Sequence, residues 1–273
     1  MIKIGITGST GNLGKSLINL LNKDANYKIN NYKNNILKTK KVFDWVKKNQ
    51  FDVIIHLAAI VPTDKANKNY KLANEVNFIG TKNLVSAIKN NTKKKVYLFF
   101  SSTSHVYSLN KHKITEKFKT KGISKYGKTK IKAENFLLKN KKFFDLSIGR
   151  ISSLTSEKQS KNFVIKKIIE EGKKNRNFNF GNSNIKRDFI HVDDVSKIIV
   201  KIIKKKILGV VNISNSEETH LYELLNHINK VYNFKINHFL GREKVLVLSN
   251  KLLLKKIGSY RFLKIKEIVK NFF

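Results

Sequence analysis

The chain has 273 residues, with 56 Lys+Arg against 19 Asp+Glu (formal charge +37), 41% hydrophobic residues and no cysteine. That apolar content excludes a disordered basic tail, and the missing thiols exclude a disulfide framework, a thiolate metal site and a cysteine nucleophile. No apolar run reaches the ~18–20 residues of a membrane span, and the N-terminus reads as a strand instead of a signal peptide, so a cytoplasmic protein is expected. Only five basic residues are arginine, and the 51 lysines are spread over the whole chain. Nucleic-acid binders concentrate basic residues on one face, so no nucleic-acid partner is expected and most of the charge reads as solvated lysine.

Through the first 150 residues short apolar runs alternate with amphipathic segments. Strands are expected at Lys3–Thr7, Tyr27–Tyr32, Phe51–Leu57, Val96–Phe100 and Leu146–Ile151, and helices at 12–22, 40–49, 66–90 and 124–140. Such alternation is the pattern of right-handed βαβ units, hence an α/β fold with a Rossmann-type, doubly wound parallel sheet. Farther on the pattern loosens. Helices are expected near 161–172, 193–205, 220–231 and 262–271, with short strands near 188–190 and 209–213. The expected division is a sheet domain over 1–160 and a smaller lobe, interleaved with the sheet, over 161–273.

The first strand runs into Gly8-Ser9-Thr10-Gly11-Asn12-Leu13-Gly14 and then a helix. Gly8 permits a tight turn, Gly11 lets backbone approach a pyrophosphate, and Gly14 lets the helix pack on the strand. The helix N-terminus presents free N–H groups to the phosphates. NAD or NADP is therefore the expected cofactor, and 1–160 the part that binds it. Residues 25–43 contain no acid to hold an adenosine 2′-hydroxyl, while Lys33 is placed to meet a 2′-phosphate, which favours NADP.

A strand ending in Ser101-Ser102-Thr103 precedes Tyr126-Gly127-Lys128-Thr129-Lys130. Tyr and Lys at i and i+4 share a helical face, and an ammonium together with a cationic nicotinamide would lower the phenol pKa from about 10. Such a tyrosine can exchange a proton with a carbinol oxygen while hydride moves, with Thr103 bonded to the same oxygen. Spacing alone proves little. Nine tyrosines and 51 lysines in 273 residues give about two such matches by chance, and three occur, at Tyr107/Lys111, Tyr126/Lys130 and Tyr260/Lys264. Only Tyr126 combines a preceding Ser/Thr strand end with an amphipathic helix continuing past the lysine.

The segments TGSTGNLG (7–14), DVIIHLAA (52–59), NEVNFIGTKNL (74–84), FSSTSHVY (100–107), YGKTK (126–130) and RDFIHVDDV (187–195) together resemble the extended short-chain dehydrogenase/reductases, and within them the NAD-dependent epimerase/dehydratase family acting on nucleotide sugars. VVNISN (210–215) and SNKLLLKKIG (249–258) extend the resemblance over essentially the whole chain. It implies that Gly8, Thr10, Gly11, Asn12, Leu13 and Gly14 contact the dinucleotide phosphates, and that Leu57, Ala58 and Ala59 line the adenosine ribose side. It also implies that Asn77 braces the site on the cofactor side, that Thr103, Tyr126 and Lys130 form the catalytic triad, and that Ser153 and Arg187 meet the nucleotide-sugar substrate. A homodimer through a four-helix interface, built from segments 66–90 and 124–140, is implied as well, and no metal is required. The departures are specific. Family dehydratases follow the threonine with an Asp-Glu pair that eliminates water, whereas Thr103 is followed by Ser104 and His105. Enzymes that invert neighbouring carbons with a Cys and a His are excluded by the lack of cysteine. The expected reaction is reduction of a 4-keto(-6-deoxy) sugar nucleotide, the alternative being C4 epimerisation with tightly bound NAD. A non-catalytic nucleotide- or RNA-binding role is a third reading, disfavoured by the intact triad.

Overall fold

The apolar runs of the N-terminal half become parallel strands because their residues are buried on both faces. The computed structural model describes all residues except 62–68, 161, 162, 271 and 273. In chain order the first half contains β1 (Ile2–Thr7), α1 (Asn12–Leu21), β2 (Tyr27–Asn31), α2 (Thr39–Asn49), β3 (Val53–His56), α3 (70–91), β4 (Val96–Thr103), α4 (Lys125–Lys139) and β5 (Phe144–Ile151). β6 (Ser153–Thr155), α5 (Val164–Lys174), β7 (Asn177–Asn182), β8 (Ile185–Arg187), β9 (Phe189–His191), α6 (Val192–Lys204) and β10 (Gly209–Ile213) follow. The chain closes with β11 (Thr219–His220), α7 (Leu221–Tyr232), β12 (Lys235–Phe239), β13 (Lys244–Leu246), α8 (Lys251–Ile257) and α9 (Ile265–Lys270).

Six strands pair in the order β10-β5-β4-β3-β1-β2, every pair parallel, which is the expected doubly wound Rossmann-type sheet. Strand alternation splits the core in two. Leu98 and Phe100 join Val42, Val46, Leu84, Ile88 and Leu137 on the face covered by α2, α3 and α4. Tyr97 and Phe99 join Ile4, Leu17, Val195, Ile199 and Leu253 on the face covered by α1, α6 and α8. A third cluster, including Ile168, Phe189, Leu224, Leu225 and Ile268, builds the smaller lobe. Each fully buried side chain of this kind contributes roughly 1.5–3 kcal/mol of transfer free energy.

The structure differs from the sequence reading in places. β4 runs three residues past its apolar run, because Ser101, Ser102 and Thr103 pair with Gly149, Arg150 and Ile151 and the ladder holds the polar residues in line. In the helix expected over 66–90, residues 66–68 lie outside the described residues; from Tyr70 it is helical, with one π turn over Glu75–Ile79. The short strands β6, β7, β8, β11, β12 and β13 and the helix α8 are additional. Among the described residues no helix is long and apolar enough to cross a membrane.

Candidate active site

The turn after β1 is shaped by contacts only glycine allows. Gly8 has φ +75°, and a Cβ there would lie 2.6 Å from the Ala58 nitrogen at the end of β3. A Cβ on Gly14 would lie 2.4 Å from the Gly8 oxygen, so α1 is seated directly on the turn. Gly11 differs: the nearest atom to a Cβ would be 3.5 Å away, and its φ is −72°. No protein neighbour forbids a side chain at Gly11, whose open side provides room for a pyrophosphate. Gly11 is the N-cap of α1, no side chain caps it, and the first turn carries no acid. The leading N–H groups and the helix dipole are thus available to an anion, and the turn fits a dinucleotide.

This turn forms one wall of a cavity of about 900 Å³. Gly8, Thr10, Gly11, Asn12, Leu13 and Gly14 line it with Leu57 and Ala59, and Thr103, Tyr126 and Lys130 stand on another side. Ser153, Arg187 and an apolar wall that includes Phe180, Phe189 and Leu221 complete the lining. Two anticipated cofactor residues lie behind this wall. The Ala58 N–H donates to Thr7 Oγ1 at 3.3 Å. Asn77 accepts from Ile60 N at 2.7 Å and donates to Ile60 O at 3.0 Å and to Thr129 Oγ1 at 2.9 Å. Asn77 therefore ties the chain after β3 to α4, one residue before Lys130, from within the π turn. The Asn12 amide, oriented so that its nitrogen donates to Lys158 O at 3.0 Å and its oxygen accepts from Gln159 N at 3.3 Å, holds the loop after β6 over the turn.

α4 reaches the end of β4 because residue 127 is glycine. A Cβ on Gly127 would stand 2.1 Å from the His105 oxygen. Ser124 caps the helix by accepting from Gly127 N at 3.0 Å and lies 3.1 Å from His105 Nδ1. Tyr126 meets the His105 ring edge-on at 6.1 Å. Thr103 Oγ1 accepts from His105 N at 3.2 Å, which leaves its own hydroxyl hydrogen to donate. Lys130 Nζ donates to Ser101 O at 2.8 Å and sits 4.5 Å from the Phe100 ring centre.

Burial sets the charges. It pushes the Lys130 ammonium down to about 7, against an opposing effect of Glu134, and pushes the Tyr126 phenol up. Among the described residues no side chain opposes this rise; the expected lowering is that of Lys130 together with a cationic nicotinamide. His105 is driven down to about 4 by burial and the nearby Arg187, so it is neutral. The other two Tyr-x-x-x-Lys matches are structural: Tyr107 donates to Asn212 Oδ1 at 2.8 Å and Tyr260 to Asp194 Oδ1 at 2.7 Å. His56 bridges Thr7 Oγ1 at 2.6 Å and Thr81 Oγ1 at 3.0 Å.

Arg187 could have been spent on Asp188 or Asp193. Instead Asp188 accepts from Ser214 Oγ and Leu248 N, and Asp193 accepts from Ser16 Oγ. Among the described residues Arg187 has no salt bridge, and its buried Nη1 has no hydrogen-bond partner. Sequence reasoning missed Glu134, which follows Lys130 at i+4 on the same face. In a chain with only 19 acids, an acid at that spacing was a usable signal. It also missed the apolar wall, whose residues come from scattered short elements.

The family model described as GDP-mannose 4,6-dehydratase matches residues 7–249. The chain is 29% identical over 214 residues, 76% of its own length and 71% of the relative's, to a GDP-6-deoxy-D-talose 4-dehydrogenase of Aggregatibacter actinomycetemcomitans. It is similar to the crystal structure of a dTDP-4-dehydrorhamnose reductase from Clostridium acetobutylicum, with TM-score 0.85 and 25% identity over 99% of this chain and 98% of that one. RMD from Pseudomonas aeruginosa, complexed with NADPH, shares the fold with TM-score 0.89 at 19% identity, covering 99% of this chain and 97% of that one. A glycine turn that fits a dinucleotide, continuous with a cavity holding Thr103, Tyr126 and Lys130, is thus matched by a family model over residues 7–249: the protein belongs to the GDP-mannose 4,6-dehydratase family of extended short-chain dehydrogenase/reductases, NAD(P)-dependent enzymes that modify nucleotide sugars.

Proposed function

We propose that this protein reduces the 4-keto group of a nucleotide-activated, 6-deoxy sugar. The observation that carries this reading is the composition of the cavity wall. Among its described residues stand Tyr126, Lys130, Thr103 and an unpaired Arg187, but no Asp or Glu. Elimination of water needs an acid to expel a hydroxyl, and this wall supplies no carboxylic acid for it, whereas ketone reduction needs only a hydride and one proton. The names of the dehydrogenase from Aggregatibacter and the reductase from Clostridium support the same chemistry.

Gly8, Gly11, Gly14 and the start of α1 would hold the dinucleotide phosphates, and residues 1–160 most of the cofactor. When bound, the reduced dinucleotide supplies the hydride. Tyr126 donates its phenolic proton to the carbonyl oxygen as it becomes an alkoxide, and the Thr103 hydroxyl donates to the same oxygen and orients it. Lys130, anchored on Ser101 O, keeps its remaining N–H groups for the cofactor side and for Tyr126. Ser153 and Arg187, at the opening of the 161–273 lobe, bind the sugar and its diphosphate, and neutral His105 limits the repulsion that a second cation beside Arg187 would add. Lys33 favours NADP(H) as the partner. A homodimer through α3 and α4 is part of this reading, and Leu72 and Leu138 on those helices are exposed. A cytoplasmic site of action belongs to the same proposal.

The test is turnover of 4-keto-6-deoxy nucleotide sugars with NADPH. The expected result is one NADPH oxidised per sugar reduced, with Tyr126→Phe lowering kcat at least about 100-fold. Interconversion of C4 epimers by protein that carries tightly bound NAD, with no net redox change, would overturn the reductase reading in favour of an epimerase.

A further inference from the structure

Tyr126, Lys130 and Glu134 occupy i, i+4 and i+8 of α4, and all three are almost completely buried, at 6%, 1% and 2% exposure. A carboxylate so deep is tolerable only if paired and fully hydrogen-bonded. Glu134 meets both conditions. Arg150 Nη2 donates to it at 2.6 Å and Arg150 Nε donates to both oxygens at 3.2 Å. The Ser102 hydroxyl donates to its Oε1. Arg150 Nη1 in turn donates to Tyr107 Oη at 2.8 Å, and Tyr107 donates to Asn212 on β10. One chain of bonds therefore runs from α4 through β4 and β5 to β10.

Its position matters more than its strength. Ser102 lies between Ser101, whose carbonyl accepts from Lys130, and Thr103, whose hydroxyl lines the cavity. We propose that Glu134 is a positioning residue for this site, clamping the end of β4 through Ser102 and setting its charge one helical turn from Lys130 on the same buried face of α4. The proposal rests on the reading of Tyr126 and Lys130 as the reacting pair. The other groups near Lys130 do not take this role: Tyr126 on its own helix is neutral, His56 from β3 is neutral, β4 offers the Ser101 carbonyl and the Phe100 ring, and Arg150 from β5 is occupied by Glu134. Buried ion pairs are often replaceable by apolar residues without loss of stability, so a pair set beside Lys130 and the strand end points to placement and charge, not to bulk stability.

The experiment reads the ionisation of Lys130 without an activity assay. Urea unfolding is followed from pH 5 to 10 for the wild type and Glu134→Gln, each compared with the same protein carrying Lys130→Met, so that the difference isolates Lys130. A lysine whose pKa is lower folded than unfolded adds stability as pH rises between the two values, so the difference should begin to climb near pH 7 in the wild type. With Glu134→Gln the climb should begin about one pH unit lower, and Glu134→Asp should restore it. If Glu134→Gln does not fold, Glu134→Gln/Arg150→Gln, which leaves no orphaned charge, enters the same comparison. An unchanged onset in the folded variant would reduce Glu134 to a structural ion pair and overturn the proposal. In turnover, Glu134→Gln should lower kcat at least about 10-fold with KM little changed. Failure to reduce any nucleotide sugar would remove the functional reading while the onset still decides the charge role of Glu134.

Discussion

The carbonyl oxygen of Gly8 stands 2.4 Å from where a Cβ on Gly14 would be, while the same oxygen is 3.5 Å from a Cβ on Gly11. Two glycines of one motif thus differ: the protein itself excludes a side chain at Gly14, whereas at Gly11 the proposed dinucleotide would be what excludes one. Gly14→Ala should destabilise the fold by at least about 2 kcal/mol, since backbone must move to admit the methyl. Gly11→Ala should stay within about 1 kcal/mol of wild type yet weaken NADPH binding at least about 10-fold. Urea unfolding and NADPH fluorescence titration separate the two effects. Wild-type NADPH affinity in Gly11→Ala would remove the phosphate-cradle assignment.

Arg187 holds a buried Nη1 with no hydrogen-bond partner at the cavity wall. An unspent guanidinium is suited to a diphosphate, and a charge-assisted pair of this kind contributes about 2–3 kcal/mol. Arg187→Gln should therefore weaken nucleoside diphosphate binding about 30- to 100-fold while leaving NADPH affinity unchanged. Calorimetric titration with UDP, GDP and dTDP measures it. An equal loss of NADPH binding would mean that Arg187 serves the cofactor or the fold.

His56 is buried between two threonine hydroxyls, and burial together with nearby Lys130 drives its pKa from 6.5 down to about 3. The unfolded chain takes up this proton on acidification and the native chain does not, so stability falls as pH drops below about 6.5 and continues to fall towards 3. At pH 5 the expected loss from His56 is about 2 kcal/mol. His105, lowered to about 4, acts in the same direction. In His56→Gln the urea stability should decline less steeply between pH 6.5 and 5 than in wild type; identical slopes would show that His56 is not held neutral.

At the end of β2, Asn31 pairs in register with Ile6, two residues before Gly8, and exposed Lys33 follows. If Lys33 meets the 2′-phosphate, Lys33→Ala should weaken NADPH binding about 10-fold and leave NADH binding unchanged. Equal affinity of wild-type protein for both dinucleotides would contradict the NADP preference.

Much of the sheet was legible in the sequence because parallel strands buried on both faces read as continuous apolar runs, and the helices between them repeat at i and i+4. β10 was found at its observed residues for this reason. β7 and β12 were not, since Asn177–Asn182 and Lys235–Phe239 are polar and short, and each becomes a strand only by pairing with the other. The site divided in the same way. Gly8, Gly11, Gly14, Tyr126 and Lys130 stand in local motifs, whereas Asn77 is bonded to Ile60 and Thr129, and Glu134 to Ser102 and Arg150, across 16 to 52 positions.

By itself, then, the sequence determined the order of strands and helices, the glycine turn and the tyrosine–lysine face, because all of these arise from spacing along the chain. Only the tertiary structure decided that burial raises Tyr126 and lowers Lys130 to about 7, that the buried Arg187 Nη1 has no hydrogen-bond partner among the described residues and that Glu134 is paired with Arg150. Charge state depends on desolvation and on every neighbouring group, and those neighbours come from strands and loops far away in the chain.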